Sequence, residues 1–297
     1  MQESQFEKYL RLERQYSVHT VEAYSNDVAQ FLDFVTENFE TDAAQVNYPM
    51  VRSWLAVLLE QQVSNRSINR KMSSLKTYFK YLQLSGIVDS NVMNKHKSLK
   101  VNNNIQTPMS PDEIKSLLSQ PIDETDFTAV RDRCVMELLY TAGLRRAELI
   151  SLTIASIDHQ KKQLIVNGKR NKQRLIPLLP SMLERINNYK VLRELHYSSS
   201  TVQELFITSK GKPIYPTLLY RIVTTQLKSI SSKTKVSPHI LRHTFATHLI
   251  NNGAELNGVK ELLGHASLAS TQVYTHSSME ALKKVHALAH PRNNKKR

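Results

Sequence analysis

Arginine and histidine crowd into one late stretch of the chain, Ser237-Pro238-His239-Ile240-Leu241-Arg242-His243-Thr244-Phe245-Ala246-Thr247-His248. Ser237 at a cap position with Pro238 behind it marks a helix start. His239 and Arg242, three residues apart, then share a face close to the positive end of that helix. Such a pairing suits a phosphate group. Leu262-Leu263-Gly264-His265 follows, where Gly264 can end a helix and set His265 at its exit. Ser270-Thr271-Gln272-Val273-Tyr274-Thr275-His276 comes next. Each residue also has a plain alternative reading. His265 can be a cap, and Tyr274 a core residue with its hydroxyl satisfied. His239 and His243, at i and i+4, can be zinc ligands, although neither a cysteine nor the flanking Glu of a metalloprotease helix accompanies them.

Other chemistries find little support. None of the seven glycines stands in a GxxxxGK or GxGxxG array, which argues against nucleotide hydrolysis. There is no Gly-x-Ser-x-Gly elbow, and acidic pairs able to hold magnesium are not evident in the second half. The single cysteine, Cys134, excludes an internal disulfide framework and lies in an apolar stretch, where a buried, inert thiol is expected. No metal and no cofactor are expected.

The elements that must carry these residues fall into two parts. The first reads as helices only. Ser17 caps a helix with the apolar stripe Val21, Tyr24, Val28, Phe31, Leu32 and Val35. Pro49 opens a second, with Val51, Trp54, Leu55 and Leu58 inward, and Ser64 a third, with Ile68, Met72, Leu75, Phe79 and Leu82 apolar. That third helix carries Arg66, Arg70, Lys71, Lys76 and Lys80 with almost no acid, and Ser73, Ser74 and Thr77 lie near. A solvated face usually mixes signs, whereas cations interspersed with hydroxyls suit phosphate contact. Arg66, Arg70 and Lys76, with Lys172 further on, are the candidate contacts to a phosphate backbone.

Residues 95–109 are polar, basic and non-periodic and read as a linker between a domain over 1–94 and another over 110–290. Ser110-Pro111-Asp112-Glu113 is a strong helix start. Beyond it the chain is mixed: a mostly apolar helix over 129–141, ended by Gly143, then a hairpin of Leu164-Ile165-Val166 and Arg174-Leu175-Ile176-Pro177 around the basic turn 167–172. Leu205-Phe206-Ile207 reads as another strand. The last helix is expected at about Met279 to Ala289, with a basic tail over 291–297.

With 297 residues and 40% hydrophobic composition the chain can hold two cored domains, and its net charge of +14 draws it toward a polyanion. It begins Met-Gln-Glu-Ser without a basic, then apolar, leader, and no apolar run approaches membrane-spanning length, so a soluble, cytoplasmic protein with no membrane partner is expected.

Taken together, these stretches resemble the tyrosine recombinases of the phage integrase family, and within them the XerC/XerD group. Tyr16-Ser17-Val18-His19-Thr20-Val21-Glu22-Ala23-Tyr24 is similar to the start of the family's DNA-clamping domain, and Thr141-Ala142-Gly143-Leu144-Arg145-Arg146-Ala147-Glu148-Leu149 to the motif of its first catalytic arginine. Val166-Asn167-Gly168-Lys169 resembles the hairpin with its catalytic lysine; the stretches at 238–247, 262–265 and 274–276 complete the set in family order, and His290-Pro291-Arg292 is similar to Xer tails. One departure stands out. The family hairpin usually reads Gly-Lys-Gly, and Arg170 takes the second glycine's place. Lys169 and Lys172 are both candidates to reach the leaving group, with the register favouring Lys169.

The resemblance implies an all-α N-terminal DNA-clamping (SAM-like, core-binding) domain followed by a mainly α, mixed α/β catalytic domain with a small antiparallel sheet. It implies a metal- and ATP-independent site-specific recombinase with Arg145, Lys169, His239, Arg242, His265 and Tyr274 catalytic, Tyr274 forming a 3′-phosphotyrosyl bond. The implied partners are duplex DNA carrying a dif-like site, a tetramer containing a sister Xer recombinase, and an FtsK-like DNA translocase. The implied role is resolution of chromosome dimers. A mobile-element integrase uses the same residues, but the two-domain length without an added arm-binding domain favours the Xer group. A type IB topoisomerase shares the chemistry, and a regulator that never cuts is the reading from another class.

Overall fold

The computed structural model describes residues 4–101, 107–168, 173–198, 201–231 and 236–264. The chain divides into two compact units, Met1–Asn104 and Ile105–Arg297.

The first unit is helical. A short helix α1 (Gln5–Lys8) runs into a π-helical turn, Tyr9–Glu13, and is followed by α2 (Val18–Phe39), α3 (Tyr48–Glu60) and α4 (Asn65–Leu84). Ser17, Asn47 and Ser64 accept hydrogen bonds from the backbone N–H groups of Thr20, Met50 and Ser67, each satisfying a first-turn donor that the helix cannot pair itself. The expected stripes meet in one core: Val28, Phe31 and Val35 of α2, Val51, Trp54 and Leu58 of α3, and Ile68, Met72, Leu75, Phe79 and Leu82 of α4 are all buried. Phe31 sits between Trp54 and Phe79, with ring centroids 5.2 and 6.3 Å away.

Among the described residues of this unit one acid is buried. Asp27 of α2 is 2% exposed and takes Lys71 at 3.2 Å and Ser74 at 2.8 Å, with Arg70 paired to it as well. Lys71 and Ser74 therefore face inward, whereas the sequence reading grouped them with the outward basic face. A buried carboxylate demands partners, and α4 supplies them from its inner edge. The tract read as a linker is partly strapped down: Asn69 of α4 donates to the Leu99 carbonyl and accepts from its N–H, both at 2.8 Å, and Asn65 donates to the Lys100 carbonyl.

The second unit starts with α5 (Pro111–Ser119), whose capping box joins Ser110 and Glu113, and α6 (Phe127–Ala142). A short α7 (Arg146–Ile150) leads to the antiparallel sheet β1 (Ile157–Asp158), β2 (Gln163–Asn167) and β3 (Gln173–Pro177), in the order β1-β2-β3. Val166 lies opposite Arg174, so the expected hairpin is present. The helices α8 (Pro180–Tyr197), α9 (Pro216–Lys228), α10 (Pro238–Asn251) and α11 (Leu256–Leu263) follow.

Most of α6 is buried, Cys134 included, and burial pushes that thiol's pKa well above its ordinary range. Leu205, Phe206 and Ile207 are buried, but they form no strand of the sheet. Isolated bridges, Thr153 with Glu204 and Ile207 with Pro213, satisfy this stretch instead. Ser237 holds the cap position of α10 by its extended backbone, without the side-chain cap bond its type suggested.

Candidate active site

Two glycines place the site. Gly143 ends α6 at φ +57°, and a Cβ there would run into the Phe245 ring of α10. Gly264 ends α11 at φ +64°, where a Cβ would come within 3.1 Å of Arg174 Cδ. Left-handed backbone favours glycine at both positions, and at Gly143 the close approach of Phe245 also leaves no room for a Cβ. These terminations bring the carbonyl ends of α6 and α11 to one place.

Arg145 follows Gly143 by two residues and is the N-cap residue of α7. Three positions later, Glu148 turns back: Oε2 accepts the Arg145 backbone N–H at 2.8 Å and Oε1 the Arg145 Nη1 at 2.7 Å. Arg174 of β3 approaches the same carboxylate with both terminal nitrogens, each at 2.8 Å, and its Nε donates to the Leu262 carbonyl at 2.9 Å. Arg242 of α10 lies 3.8 Å from Glu148 Oε2, and it donates to the carbonyl oxygens of Gly143 and Leu263, both at 2.6 Å. Three guanidiniums thus surround one carboxylate, and positive charge is in excess.

Burial and charge act against each other here. Burial favours a protonated Glu148, but it is outweighed by Arg174 and by the two bonds from Arg145, which hold the carboxyl down at about 2. Burial lowers Arg242 to about 10, assisted by Arg145 and Arg174 and opposed by Glu148. The guanidinium stays charged near neutrality. Arg145 keeps 37% of its side chain exposed, whereas Arg174 and Glu148 keep 6% each. An anion arriving at this site therefore meets Arg145 first, held from behind by an acid that cannot itself reach solvent.

Arg145 and Arg242, far apart in sequence, are brought together. His239 is exposed in the first turn of α10, three residues before Arg242. Lys169, Lys172, His265 and Tyr274 lie outside the described residues, as do the expected helix at Met279 to Ala289 and the tail. In the first unit Arg66, Arg70 and Lys76 are exposed along α4, with Arg70 tied to Asp27. Among the described residues no group of three or more His, Cys, Asp or Glu is gathered as for a metal ion, and no helix is long and apolar enough to cross a membrane.

Sequence reasoning did not assign roles to Glu148 and Arg174. The first had a signal: an acid at the third helical position can turn back to accept the N-cap backbone N–H. The second had a weaker one, its two-residue alternation with Ile176, which puts both on the buried face of β3. A charged residue on such a face implies a buried partner.

A second buried network lies on α10. His248 Nε2 meets the Met109 carbonyl at 2.9 Å and its Nδ1 meets the Tyr140 hydroxyl at 3.0 Å, while the Met109 N–H donates to Thr244 Oγ1 at 2.9 Å. The carbonyl can only accept, so Nε2 carries the proton and Nδ1 accepts from Tyr140. This clasp anchors the segment leading into α5.

Residues 107–281 match the phage integrase family and residues 4–86 the N-terminal SAM-like domain of phage integrases. The chain is 36% identical over 290 residues to the tyrosine recombinase XerC of Anoxybacillus flavithermus, covering 97% of this chain and 96% of that one. It is 34% identical over 295 residues to the XerC of Listeria monocytogenes, covering 98% and 97%. Among solved structures, the XerH recombinase in a post-cleavage complex on a palindromic difH substrate shares the fold at a TM-score of 0.71, with 21% identity and coverage of 96% and 84%. A lambda integrase dimer on a core site does so at 0.64, with 16% identity and coverage of 91% and 97%. With an N-terminal SAM-like domain, a catalytic integrase domain and relatives matched along nearly their whole length, this chain belongs to the phage integrase family and is a site-specific tyrosine recombinase of the Xer type.

Proposed function

We propose that the chain binds duplex DNA at a dif-like site and exchanges strands there with Arg145, Lys169, His239, Arg242, His265 and Tyr274 as its catalytic residues. The observation that carries this reading is the convergence of Arg145 and Arg242 on Glu148, which leaves a partly exposed, positively charged site. A phosphodiester under attack concentrates charge on its non-bridging oxygens, and prepositioned guanidiniums stabilise that charge without reorganisation. His265 adds a further donor.

The Tyr274 oxygen attacks phosphorus as its proton passes to His239, and the bond from phosphorus to the 5′-oxygen breaks. Lys169 gives that oxygen a proton, leaving a free 5′-hydroxyl and a 3′-phosphotyrosyl link. The reverse attack by a 5′-hydroxyl restores the backbone. Each step exchanges one phosphate ester for another, so no ATP is required, and the guanidiniums of Arg145 and Arg242 supply the charge stabilisation a metal would otherwise give. Arg66, Arg70 and Lys76 of the first domain (1–94), with Lys172, contact the DNA phosphates. Residues 95–109 join that domain to the catalytic one (110–290), and the basic tail covers 291–297.

We infer further, from the likeness to proteins named tyrosine recombinase XerC, a role in resolving chromosome dimers in the cytoplasm, as a tetramer that includes a sister recombinase and answers to an FtsK-like translocase. The test is covalent trapping on a nicked suicide duplex carrying a candidate site, in EDTA, on a denaturing gel. A protease-sensitive shifted band that disappears in Tyr274→Phe is expected. A band that persists in that variant would remove Tyr274 as nucleophile, and no band even with a sister recombinase added would leave a DNA-binding protein that does not cut.

A further inference from the structure

Of the three arginines around Glu148, the proposed chemistry absorbs Arg145 and Arg242 and leaves Arg174 without a role. Its side chain is 6% exposed, and all three of its nitrogens are engaged within the protein. Two grip Glu148 in a fork at 2.8 Å, and the third holds the Leu262 carbonyl in the last turn of α11. Glu148 passes this constraint to Arg145 through a backbone and a side-chain bond. From the other side, the Gly264 carbonyl accepts Arg145 Nη2 at 3.4 Å, and Gly264 itself is packed on the Arg174 stem. Both elements that hold the Arg145 guanidinium are thus held by Arg174.

We propose that Arg174 is a positioning residue that fixes the plane of Glu148 and the end of α11, so that Arg145 is presented to the scissile phosphate in one orientation. This rests on the reading of Arg145 as a phosphate clamp. Three divergent N–H directions in one plane are what the site uses, and a lysine ammonium cannot reproduce a fork on a carboxylate together with a third bond to a helix carbonyl. A small misplacement of a group facing the reacting phosphate costs far more rate than stability.

The test is a double-mutant cycle in the full chain. Single-turnover cleavage of the suicide duplex is measured at saturating protein for the wild type, Arg174→Lys, Arg145→Ala and the combination, beside DNA affinity and thermal unfolding. Arg174→Lys is expected to slow cleavage about 10- to 100-fold, with affinity unchanged within about twofold. In the Arg145→Ala background the same substitution should cost less than about threefold, because the group it positions is gone. A role in folding alone would give equal losses in both backgrounds.

An Arg145→Ala protein that cleaves at the normal rate would overturn the site reading itself. A slow Arg145→Ala protein combined with a fast Arg174→Lys protein, or with equal losses in both backgrounds, would overturn the positioning role only. Should Arg174→Lys unfold at the assay temperature, the cycle is run with the neutral pair Glu148→Gln and Arg174→Gln. That pair is also expected to be non-additive with Arg145→Ala, and additivity would count against the proposal.

Discussion

The guanidinium of Arg242 donates to the carbonyl oxygen of Gly143 at 2.6 Å, which places the arginine of one helix on the terminal carbonyl of another. The matching bond to Leu263 does the same at the end of α11. Helix C-termini carry partial negative charge, so both ends favour a cation that burial would otherwise discourage. Arg242 is therefore oriented before any substrate arrives, and its remaining donors are the ones left to meet a phosphate.

Gly143→Ala should disturb this arrangement more than a one-methyl change suggests. The residue sits at φ +57° and its new Cβ would meet the Phe245 ring, so backbone strain and a steric clash add. A loss of more than about 1 kcal/mol is expected in denaturant unfolding. Cleavage at a temperature where the variant stays folded should also fall. An unchanged cleavage rate in a destabilised protein would show that the Gly143 carbonyl does not set the Arg242 position.

The basic face of α4 should divide by ion pairing. Arg66 and Lys76 are exposed, whereas the charge of Arg70 is shared with the buried Asp27. Arg66→Ala and Lys76→Ala should each flatten the salt dependence of DNA affinity by about one unit of slope. Arg70→Ala should flatten it less and lower the unfolding midpoint, since Asp27 loses a partner. Equal slopes for all three variants would mean that Asp27 does not compete with DNA for Arg70.

The Met109 clasp predicts a pH dependence. Burial lowers the His248 pKa below its ordinary 6.5, and the bond to Met109 opposes that only in part. The unfolded chain thus takes up a proton first as pH falls, and the contribution of His248 is complete above 6.5 and lost between that value and the lowered one. His248→Gln should flatten the fall in denaturant midpoint on acidification through this window. A slope identical to that of the wild type would assign it to other groups.

The proposed general acid, Lys169 or Lys172, can be identified through the leaving group it serves. Lys169→Ala should slow cleavage of ordinary DNA and recover on a 5′-bridging phosphorothiolate, whose sulfur departs without a proton. Recovery by Lys172→Ala instead would transfer the general-acid role to that residue.

Local signals in the sequence were enough for α2, α3 and α4, because apolar residues recur there at helical spacing and serine or asparagine stands at each start, whereas α1 and the π-helical turn after it went unread. The same held for the β2–β3 hairpin, where two short apolar runs flank a basic turn. Leu205 to Ile207 misled, since a short buried apolar run looks alike whether it joins a sheet or packs as an isolated bridge. Lys71 misled differently: on a helix rich in cations, nothing local marks the one that turns inward to a buried acid.

The sequence by itself determined the residue types, their order and the starts of α2, α3, α4, α5 and α10, since caps and periodicity act over a few residues. The resemblance of these stretches to the phage integrase family then implied the candidate catalytic set. Only the tertiary structure decided that Glu148 is the common partner of Arg145, Arg174 and Arg242, and that Gly143 and Leu263 hold Arg242. Arg145 and Arg242 stand 97 positions apart in the chain. A carboxylate shielded from water binds whichever cations the packing of α7, β3 and α10 brings within reach, and that is settled by burial rather than by sequence distance.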